Sequence, residues 1–374
     1  MTEHRLEADS LPVGTVIPTR YWHALGGGRV QCDLCPRYCQ LAEGQRGLCF
    51  VRGNLGGQVV LASYGRSSGF CIDPIEKKPL NHFLPGTPVL SFGTAGCNLS
   101  CKFCQNWDIS KSRELDTLAD AASPQQVARA ARENACRSVA FTYNDPIIFH
   151  EYAIDVAKAC RAEGIKSVAV TSGYVCEEPR REFYQHMDAA NVDLKGFSEE
   201  FYRKLTGGHL QPVLDTLLYL RHQTSVWLEI TTLLIPGWND SDAEIDAMTR
   251  WVVRELGSEV PMHFTAFHPD WKMMDVPATP LATLQRARLI AMTNGVHHAY
   301  TGNLRDKTGQ STWCHHCGQC LIGRDGYQLD TWQLDGEGRC LRCATPCPGV
   351  FEAVAGDWGS RRQPIRLADY ADTE

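Results

Sequence analysis

Thirteen of the 17 cysteines of this chain lie in three short groups, and this distribution constrains the fold more than any other feature. The front group lies within residues 32–49, the central group within residues 97–104 and the rear group within residues 314–347. Cysteine is too sparse overall for a small disulfide scaffold, in which it exceeds about 8–10% of residues. In a reducing compartment, clustered thiols more often hold metal than form disulfides. We therefore expect metal sites in this protein.

The rest of the composition indicates a globular cytoplasmic protein. The chain has 374 residues, of which 43% are hydrophobic, enough for a large core in two or three domains or in one barrel with appendages. Its net charge of −6 argues against a surface built to grip a nucleic acid backbone. Residues 1–14 lack a basic segment followed by an apolar one, and no apolar stretch reaches the roughly 18 residues of a membrane-spanning helix. We expect no secretory signal and no membrane partner.

The middle of the chain has the pattern of an α/β fold. Helices are predicted at residues 124–134, 147–163 and 241–256, the first after Ser123 as N-cap and the last ending at Gly257. Strands that alternate with helices of this length form a parallel sheet, and six or more such units predict a full or partial (β/α) barrel with its functional residues at the C-terminal strand ends. The predicted strands are residues 89–94, 138–143, 167–172, 191–194, 226–234 and 263–267, with a weaker seventh at 297–301.

Four regions follow from this pattern. Residues 1–87 form a Cys-rich N-terminal extension and residues 88–305 form the barrel. Residues 306–352 are rich in cysteine and turn residues, and such a short segment needs a metal or a host surface to hold it. The polar residues 353–374 are predicted to be a frayed tail.

The central group reads C-x3-C-x2-C and consists of Cys97, Cys101 and Cys104, directly after the first predicted strand. Three thiolates on one loop can hold three irons of a cubane and leave the fourth iron open. Structural zinc sites instead usually take four ligands from two separated knuckles. With the aromatic Phe103 before the third cysteine, the motif resembles the signature of the radical S-adenosylmethionine (SAM) enzymes.

The resemblance implies the chemistry of that family. A [4Fe–4S] cluster on the three cysteines would bind SAM and, supplied with one electron by a reducing donor, cleave it to methionine and a 5′-deoxyadenosyl radical. The radical would abstract hydrogen from a substrate that the sequence does not identify. The fold implied is a partial (β/α)6 TIM-like barrel.

Later loops resemble, in order, those of the pyruvate formate-lyase activating enzymes within this family. By that resemblance, Asn144 and Asp145 bind the SAM amino group, with Asp one methylene shorter than the family's Glu. Lys195 faces the SAM carboxylate, and Asp193 lines the same cavity. The implied SAM-binding residues are Phe103, Asn144, Asp145, Ser172, Asp193, Lys195 and His268, the last of which reaches the ribose.

A closer resemblance covers residues 30–350. The segments 73–86, 97–110, 142–146, 191–205 and 267–270 are similar to the radical SAM member of the AmmeMemoRadiSam group. This resemblance implies AMMECR1-like and MEMO-like proteins as partners.

The two outer cysteine groups are candidate metal sites. The front group, Cys32, Cys35, Cys39 and Cys49, could hold zinc or an auxiliary iron–sulfur cluster. The rear group contains two C-x2-C knuckles, typical of a zinc ribbon or rubredoxin-like site that binds zinc or iron–sulfur. Its expected ligands are Cys314, Cys317, Cys340 and Cys343, which leaves Cys320 and Cys347 without a role. No stripe of basic and aromatic residues accompanies these knuckles, so nucleic acid is not the expected partner.

Two alternatives remain open at the level of sequence. Within the enzyme class, the chain could be a glycyl-radical enzyme activase of the pyruvate formate-lyase type rather than an oxidoreductase that uses its extra clusters for electron transfer. Outside that class, it could be a non-enzymatic iron–sulfur electron carrier or a zinc-binding module, which would leave the ordered polar loops of the barrel without purpose.

Overall fold

A nine-stranded sheet organises the computed structural model, which describes residue 6, residues 14–111, residue 118 and residues 120–371. In chain order its strands are β1 Phe70–Pro74, β2 Pro88–Phe92, β3 Ser138–Phe141, β4 Lys166–Thr171, β5 Ala189–Asp193, β6 Trp227–Leu234, β7 Met262–Ala266, β8 Ala299–Gly302 and β9 Gln363–Ile365. Their order in the sheet is β8-β7-β6-β5-β4-β3-β2-β1-β9.

Strands β2 to β8 are all parallel. They match the seven strands predicted from the sequence to within a few residues, so the predicted parallel sheet is confirmed. Most of their residues are buried, as expected for a sheet covered on both faces. The helices between them are Pro124–Glu133, His150–Ala162, Glu177–Tyr184, Gln211–Gln223, Asp242–Leu256 and Leu281–Thr293.

Local hydrogen bonds explain where these helices begin. Ser123 accepts from the backbone N–H of Gln126 and donates its own backbone N–H to the Gln126 side chain, the reciprocal pair of a capping box. One helix was predicted over residues 147–163, whereas the structure has a 3-10 turn, Pro146–Phe149, followed by the helix His150–Ala162. The turn forms because the Asp145 carboxylate accepts from the N–H of Ile147, which fixes the chain at its start.

Small antiparallel sheets flank the large one. Two lie in the front region, formed by Ile17–Pro18, Gln58–Leu61 and Arg52–Leu55, and by Trp22–Gly26, Arg29–Cys32 and Gln40–Leu41. Arg66–Ser67 pairs with Asp120–Ala121. In the rear region Thr312–Trp313, Cys320–Asp325 and Gln328–Trp332 form a fourth. The remaining short helical turns are Ile75–Lys77, Trp107–Ser110, Glu199–Phe201, Tyr202–Thr206, Lys307–Gln310 and Leu367–Tyr370.

The C-terminal segment differs from the prediction. Residues 353–374 were expected to fray, but β9 pairs with β1 at the sheet edge and the turn that follows buries Leu367 in the main core. Pro364 is tolerated in β9 because an edge strand needs hydrogen bonds on one side only. Residues 372–374, and residues 1–5 and 7–13 of the segment in which no secretory signal was predicted, lie outside the described residues. No described helix is long and apolar enough to span a bilayer.

Candidate functional site

Cys97, Cys101 and Cys104 lie on the loop that leaves the C-terminal end of β2 and line an open cavity of about 1670 Å³. The loop is held from two sides. The backbone N–H of Ser100 donates to Thr206 O at 2.9 Å, and the Asn144 amide donates to Gly96 O at 2.7 Å. The three sulfurs therefore face one cavity at the sheet end where ligands of parallel α/β folds bind.

The thiols of this loop lie in a poorly solvated environment. Burial raises the pKa of Cys101 to about 12, and burial followed by the charge of Asp145 raises the pKa of Cys97. Isolated thiols of this kind stay protonated at neutral pH, whereas coordination to a metal stabilises the thiolate and releases the proton. The donor set therefore fits a metal cluster better than free thiolate chemistry.

Asn144 and Asp145 reach this cavity from the end of β3. The Asn144 amide also donates to Thr94 O, so it fixes the segment that leads into the cysteine loop. The Asp145 carboxylate accepts from Thr171 Oγ1, from the N–H of Ser172 at 2.9 Å and from the Ser172 hydroxyl. Burial raises the pKa of Asp145. The structure thus brings Asp145 and Ser172 into direct contact, which the sequence did not predict.

Lys195 and Asp193 contribute an ion pair at the end of β5, with Lys195 Nζ 2.8 Å from Asp193 Oδ2. Burial opposes the charge of Lys195, but Asp193 and the Cys101 sulfur raise its pKa above the usual value. The side chain therefore carries a fixed positive charge beside the cysteine loop. Such a group suits an anionic part of a ligand.

Phe103 and His268 differ in position. Phe103 is buried, lines the cavity and has its ring centroid 5.9 Å from that of Phe201. His268, implied to reach a ribose, is exposed and is absent from the lining of the cavity. The preceding Phe267 is buried in the core, so the two neighbouring side chains point in different directions. The role of His268 toward the SAM ribose therefore stays a prediction.

A second polar group, which the sequence did not predict as a site, contributes Lys78 and Tyr143 to the lining of the same cavity. Lys78 Nζ lies 2.7 Å from Asp73 Oδ2, and the Tyr143 hydroxyl donates to the same oxygen at 3.0 Å. Burial lowers the pKa of Lys78 to about 8 despite its pairing with Asp73. Arg362, from the segment expected to fray, also lines the cavity. The similarity of segment 73–86 to the related family was the sequence signal from which Asp73 and Lys78 could have been found.

The four predicted rear ligands converge. Cys314, Cys317, Cys340 and Cys343 have sulfurs that all lie within 4.8 Å of one another. The Cys314–Cys343 sulfur distance is 3.6 Å and the Cys317–Cys340 distance is 3.8 Å. Four ligands at a Zn–S distance of about 2.3 Å stand about 3.8 Å apart in a tetrahedron. The geometry of the cluster therefore fits a C-terminal metal-binding module, and Cys320 is not part of it.

The front group has a different geometry. Cys32, Cys35, Cys39 and Cys49 line one enclosed cavity of about 390 Å³, together with the buried Arg52. In contrast to the rear group, no three of their sulfurs lie within 4.8 Å of one another in the described part of the chain. Burial raises the pKa of Cys35, and that of Cys49 to about 12. The four thiols thus line one cavity without the compact spacing of the rear group.

This front cavity adjoins the central loop. Gly96 has a φ of +85°, and a Cβ placed on it would lie 1.9 Å from Cys49 O. Asn98 lines the front cavity, and its carbonyl accepts from Arg37 Nε at 2.8 Å. The backbone of the central cysteine loop therefore forms one wall of the front site.

Comparisons with known proteins agree with this geometry. The Radical SAM superfamily model matches residues 92–248. The uncharacterized protein MJ0808 of Methanocaldococcus jannaschii is 37% identical over 324 residues, which cover 86% of this chain and 96% of that protein. The pyruvate formate-lyase 1-activating enzyme of Escherichia coli K12 is 25% identical over 190 residues, or 49% of this chain and 75% of the enzyme.

Among solved structures, a radical SAM methyltransferase from Sphaerobacter thermophilus matches with a TM-score of 0.47 and 16% identity over 79% of each chain. Radical SAM proteins use a [4Fe–4S] cluster and SAM, and the three thiols of the central loop fit the first of these. The chain belongs to the radical SAM superfamily as an enzyme related to the activases of glycyl-radical enzymes.

Proposed function

We propose that the protein binds SAM against a [4Fe–4S] cluster held by Cys97, Cys101 and Cys104 and uses the product radical to abstract hydrogen from a substrate. The observation that carries the proposal is that these thiols share one cavity with Lys195 and Asp145. The cluster, when bound and reduced, supplies the electron that splits SAM into methionine and the 5′-deoxyadenosyl radical. The chain itself orients SAM, balances its charges and limits the access of water.

The charges in the cavity suit the two ends of the methionine part of SAM. We propose that Lys195 pairs with the SAM carboxylate, with Asp193 holding the lysine in place. Asn144, Asp145 and Ser172 lie on the side proposed for the ammonium group, and Asp145 supplies the negative charge there. Phe103 provides an apolar contact beside the third cysteine.

The direct test is SAM cleavage. Protein reconstituted with iron and sulfide under anaerobic conditions, then reduced with dithionite, is expected to produce 5′-deoxyadenosine from SAM, measured by liquid chromatography. A reconstituted protein that neither binds SAM by calorimetry nor forms 5′-deoxyadenosine would instead support the electron-carrier alternative.

Replacing the lysine tests the proposed SAM contact. We expect Lys195→Met to weaken SAM binding about 10- to 150-fold, because a hydrogen bond to a charged group contributes about 1.5–3 kcal/mol. Calorimetric titration of SAM into the reconstituted protein measures this change. Lys204→Met, at an exposed lysine that pairs with Glu200 on the surface, is the matched control and should leave the affinity unchanged. Equal affinities of the two variants would remove Lys195 from the SAM site.

The proposed architecture is a partial (β/α)6 TIM-like barrel over residues 88–305. Residues of β4 to β7 and of the loops after β2, β3 and β8 line the same cavity, which supports a sheet that curves around it. We propose that residues 1–87 form the Cys-rich extension and residues 306–352 a zinc-ribbon or rubredoxin-like domain. The sulfur distances near 3.8 Å at Cys314, Cys317, Cys340 and Cys343 support zinc there.

We propose that the front thiols hold an auxiliary [4Fe–4S] cluster rather than zinc. Their sulfurs are more widely spaced than those of the rear group, and the buried Arg52, which pairs with Glu151, also favours the thiolate of Cys32. Contact between Cys49 and Gly96 puts this cluster beside the catalytic loop. A cluster there suits electron transfer to the catalytic one.

Iron analysis tests the auxiliary cluster. We expect about eight irons per chain in the reconstituted protein and about four in a Cys32→Ser, Cys35→Ser double variant, with zinc unchanged. Cys176→Ser is the control, because Cys176 lies near the same region but does not line the front cavity. Loss of zinc rather than iron from the double variant would assign zinc to the front site.

Two kinds of protein partner are compatible with the proposed chemistry. We propose an enzyme that acts with AMMECR1-like and MEMO-like proteins in the cytoplasm, supported by the metal-rich regions at both ends of the chain. The relation to pyruvate formate-lyase activating enzymes favours a glycyl-radical enzyme as the second candidate partner. Anaerobic affinity capture from native lysate distinguishes them, since recovery of a glycyl-radical enzyme as the main partner would support the activase function.

A further inference from the structure

Cys347, which the rear zinc group does not use, lies beside two histidines from distant parts of the chain. Its sulfur is 3.8 Å from His82 Nδ1, although 265 residues separate the two along the sequence. His298 completes the group, and one potential ligand atom from each residue lies within 4.8 Å of the other two. All three side chains are buried, with exposed fractions of 0%, 3% and 7% for His82, His298 and Cys347.

His298 supplies an independent indication of a ligand. Its Nε2 atom is buried and has no hydrogen-bond partner among the described residues. A buried nitrogen without a partner is costly, and most such groups in native structures are paired. The His298 ring centroid lies 4.5 Å from that of His82, so the unpaired imidazole belongs to the same cluster.

The surroundings of His82 prepare one nitrogen for coordination. Its Nε2 lies 2.5 Å from the Tyr300 hydroxyl, which itself contacts Thr312 Oγ1 at 2.8 Å. Metal-bound histidines generally donate their other ring N–H to an oxygen, which fixes the tautomer. Without a metal, Nδ1 donates its proton to Pro348 O. When a cation displaces that proton, Nε2 carries the remaining N–H toward Tyr300 and Nδ1 binds the cation on the side of Cys347. Pro348 O, 2.6 Å from Nδ1, is the nearest additional oxygen donor.

We propose that His82, His298 and Cys347 bind one Zn²⁺ ion, separate from the four-cysteine site. One thiolate and two neutral imidazoles form a donor set that zinc accepts, and a carbonyl oxygen or water can complete the tetrahedron. The Glu229 carboxylate, which accepts from the backbone N–H of His82 at 2.8 Å, adds negative charge nearby. This inference does not depend on SAM chemistry.

The position of this site, far from the catalytic cavity and beside the rear module, indicates a structural role. His298 immediately precedes β8, and Glu229 lies near the start of β6, so the cluster is at the N-terminal end of the parallel strands, away from the catalytic cavity. The rear module docks at the same place, since Val350 donates its N–H to His82 O at 2.7 Å and Leu84 donates to Val350 O at 2.8 Å. A metal ion here joins the Cys-rich module to the sheet.

Metal analysis of full-length variants tests the proposal. Protein purified anaerobically with its iron sites filled is expected to contain about two zinc ions per chain, and Cys347→Ser and His298→Gln about one each. Cys320→Ser is the matched control, a rear-module cysteine outside both groups, and should keep both ions. Cys343→Ser should lose the other ion and keep this one. Unchanged zinc content in both Cys347→Ser and His298→Gln would overturn the proposal.

A titration of the unmodified protein keeps the test independent of how well the variants fold. Zinc is removed from iron-loaded wild-type protein with a chelator and then returned as Zn²⁺ alone. We expect the protein to take up about two equivalents. The affinity for one of them should fall at acid pH, because protonation of the histidines competes with zinc binding. Uptake of a single equivalent would show that only the four-cysteine site exists.

Discussion

Cys101→Ala is expected to abolish 5′-deoxyadenosine formation from SAM while leaving the fold intact. Cys101 is 7% exposed and lies between the other two thiols of the central loop. Without it, two thiolates remain for a cluster that needs three, so the cluster does not assemble stably. The rate should fall to that of protein without iron, and the iron content should fall by about four per chain. Chromatography of the nucleoside product and iron analysis measure both changes.

The control for this variant is Cys136→Ala. Cys136 is also buried, at 4% exposure, but it lies two residues before the start of β3, whereas the central loop leaves the C-terminal end of β2. Its sulfur lies against the backbone oxygen of Asn134. The substitution removes the same sulfur atom from a buried site without touching the cluster. Full 5′-deoxyadenosine formation by Cys101→Ala would refute the catalytic assignment of the central loop, and a loss shared with Cys136→Ala would indicate general destabilisation.

The parts of this protein that the sequence predicted are those encoded by local patterns. The three central cysteines lie within eight residues, and the parallel strands follow from short apolar runs between amphipathic helices. Capping residues such as Ser123 and Ser241 mark helix starts through contacts only three residues apart. Each of these signals is contained in one turn or one strand, so it can be read without knowing what packs against it.

The parts that escaped prediction depend on contacts between distant segments. Tyr143 shares an oxygen of Asp73 across 70 residues, and Cys347 meets His82 across 265. The segment around Leu367 is polar enough to suggest fraying, yet one buried leucine and pairing with β1 order it. The direction of the His268 side chain was not predictable for a related reason, because the orientation of a loop side chain depends on which neighbour enters the core, here Phe267.

The difference between the two outer cysteine groups also depends on three-dimensional spacing. Both were compatible with zinc or iron–sulfur by sequence, because zinc and iron accept the same thiolates. Within the rear group, neighbouring sulfurs lie near 3.8 Å from one another. The front sulfurs are not so closely grouped and line a cavity of about 390 Å³. The front group resembles the central loop in this respect, because within the described residues neither group has three sulfurs within 4.8 Å of one another.

Gly96→Ala is expected to disrupt the front and central sites together. The residue has a φ of +85°, and an added Cβ would lie 1.9 Å from Cys49 O and 2.9 Å from Cys49 C. Backbone atoms on both sides cannot yield as a flexible side chain can, so the two loops must move apart. The left-handed conformation costs about 1–2 kcal/mol and the overlap about 1–3 kcal/mol more. We expect a lower melting temperature, incomplete iron loading at both sites and a strong loss of 5′-deoxyadenosine formation.

Gly164→Ala is the control that separates the strain of the left-handed backbone from the steric overlap with Cys49. Gly164 has a similar φ of +72°, at the end of the helix His150–Ala162, but no atom of the described residues lies within 4 Å of the position that an added Cβ would take. It therefore carries the backbone strain without the overlap and should retain its iron. If Gly96→Ala loads iron as completely as Gly164→Ala, the front and central loops are not coupled through Cys49. If iron is lost from both sites only in Gly96→Ala, a single close backbone contact couples the assembly of the proposed auxiliary cluster to that of the catalytic one.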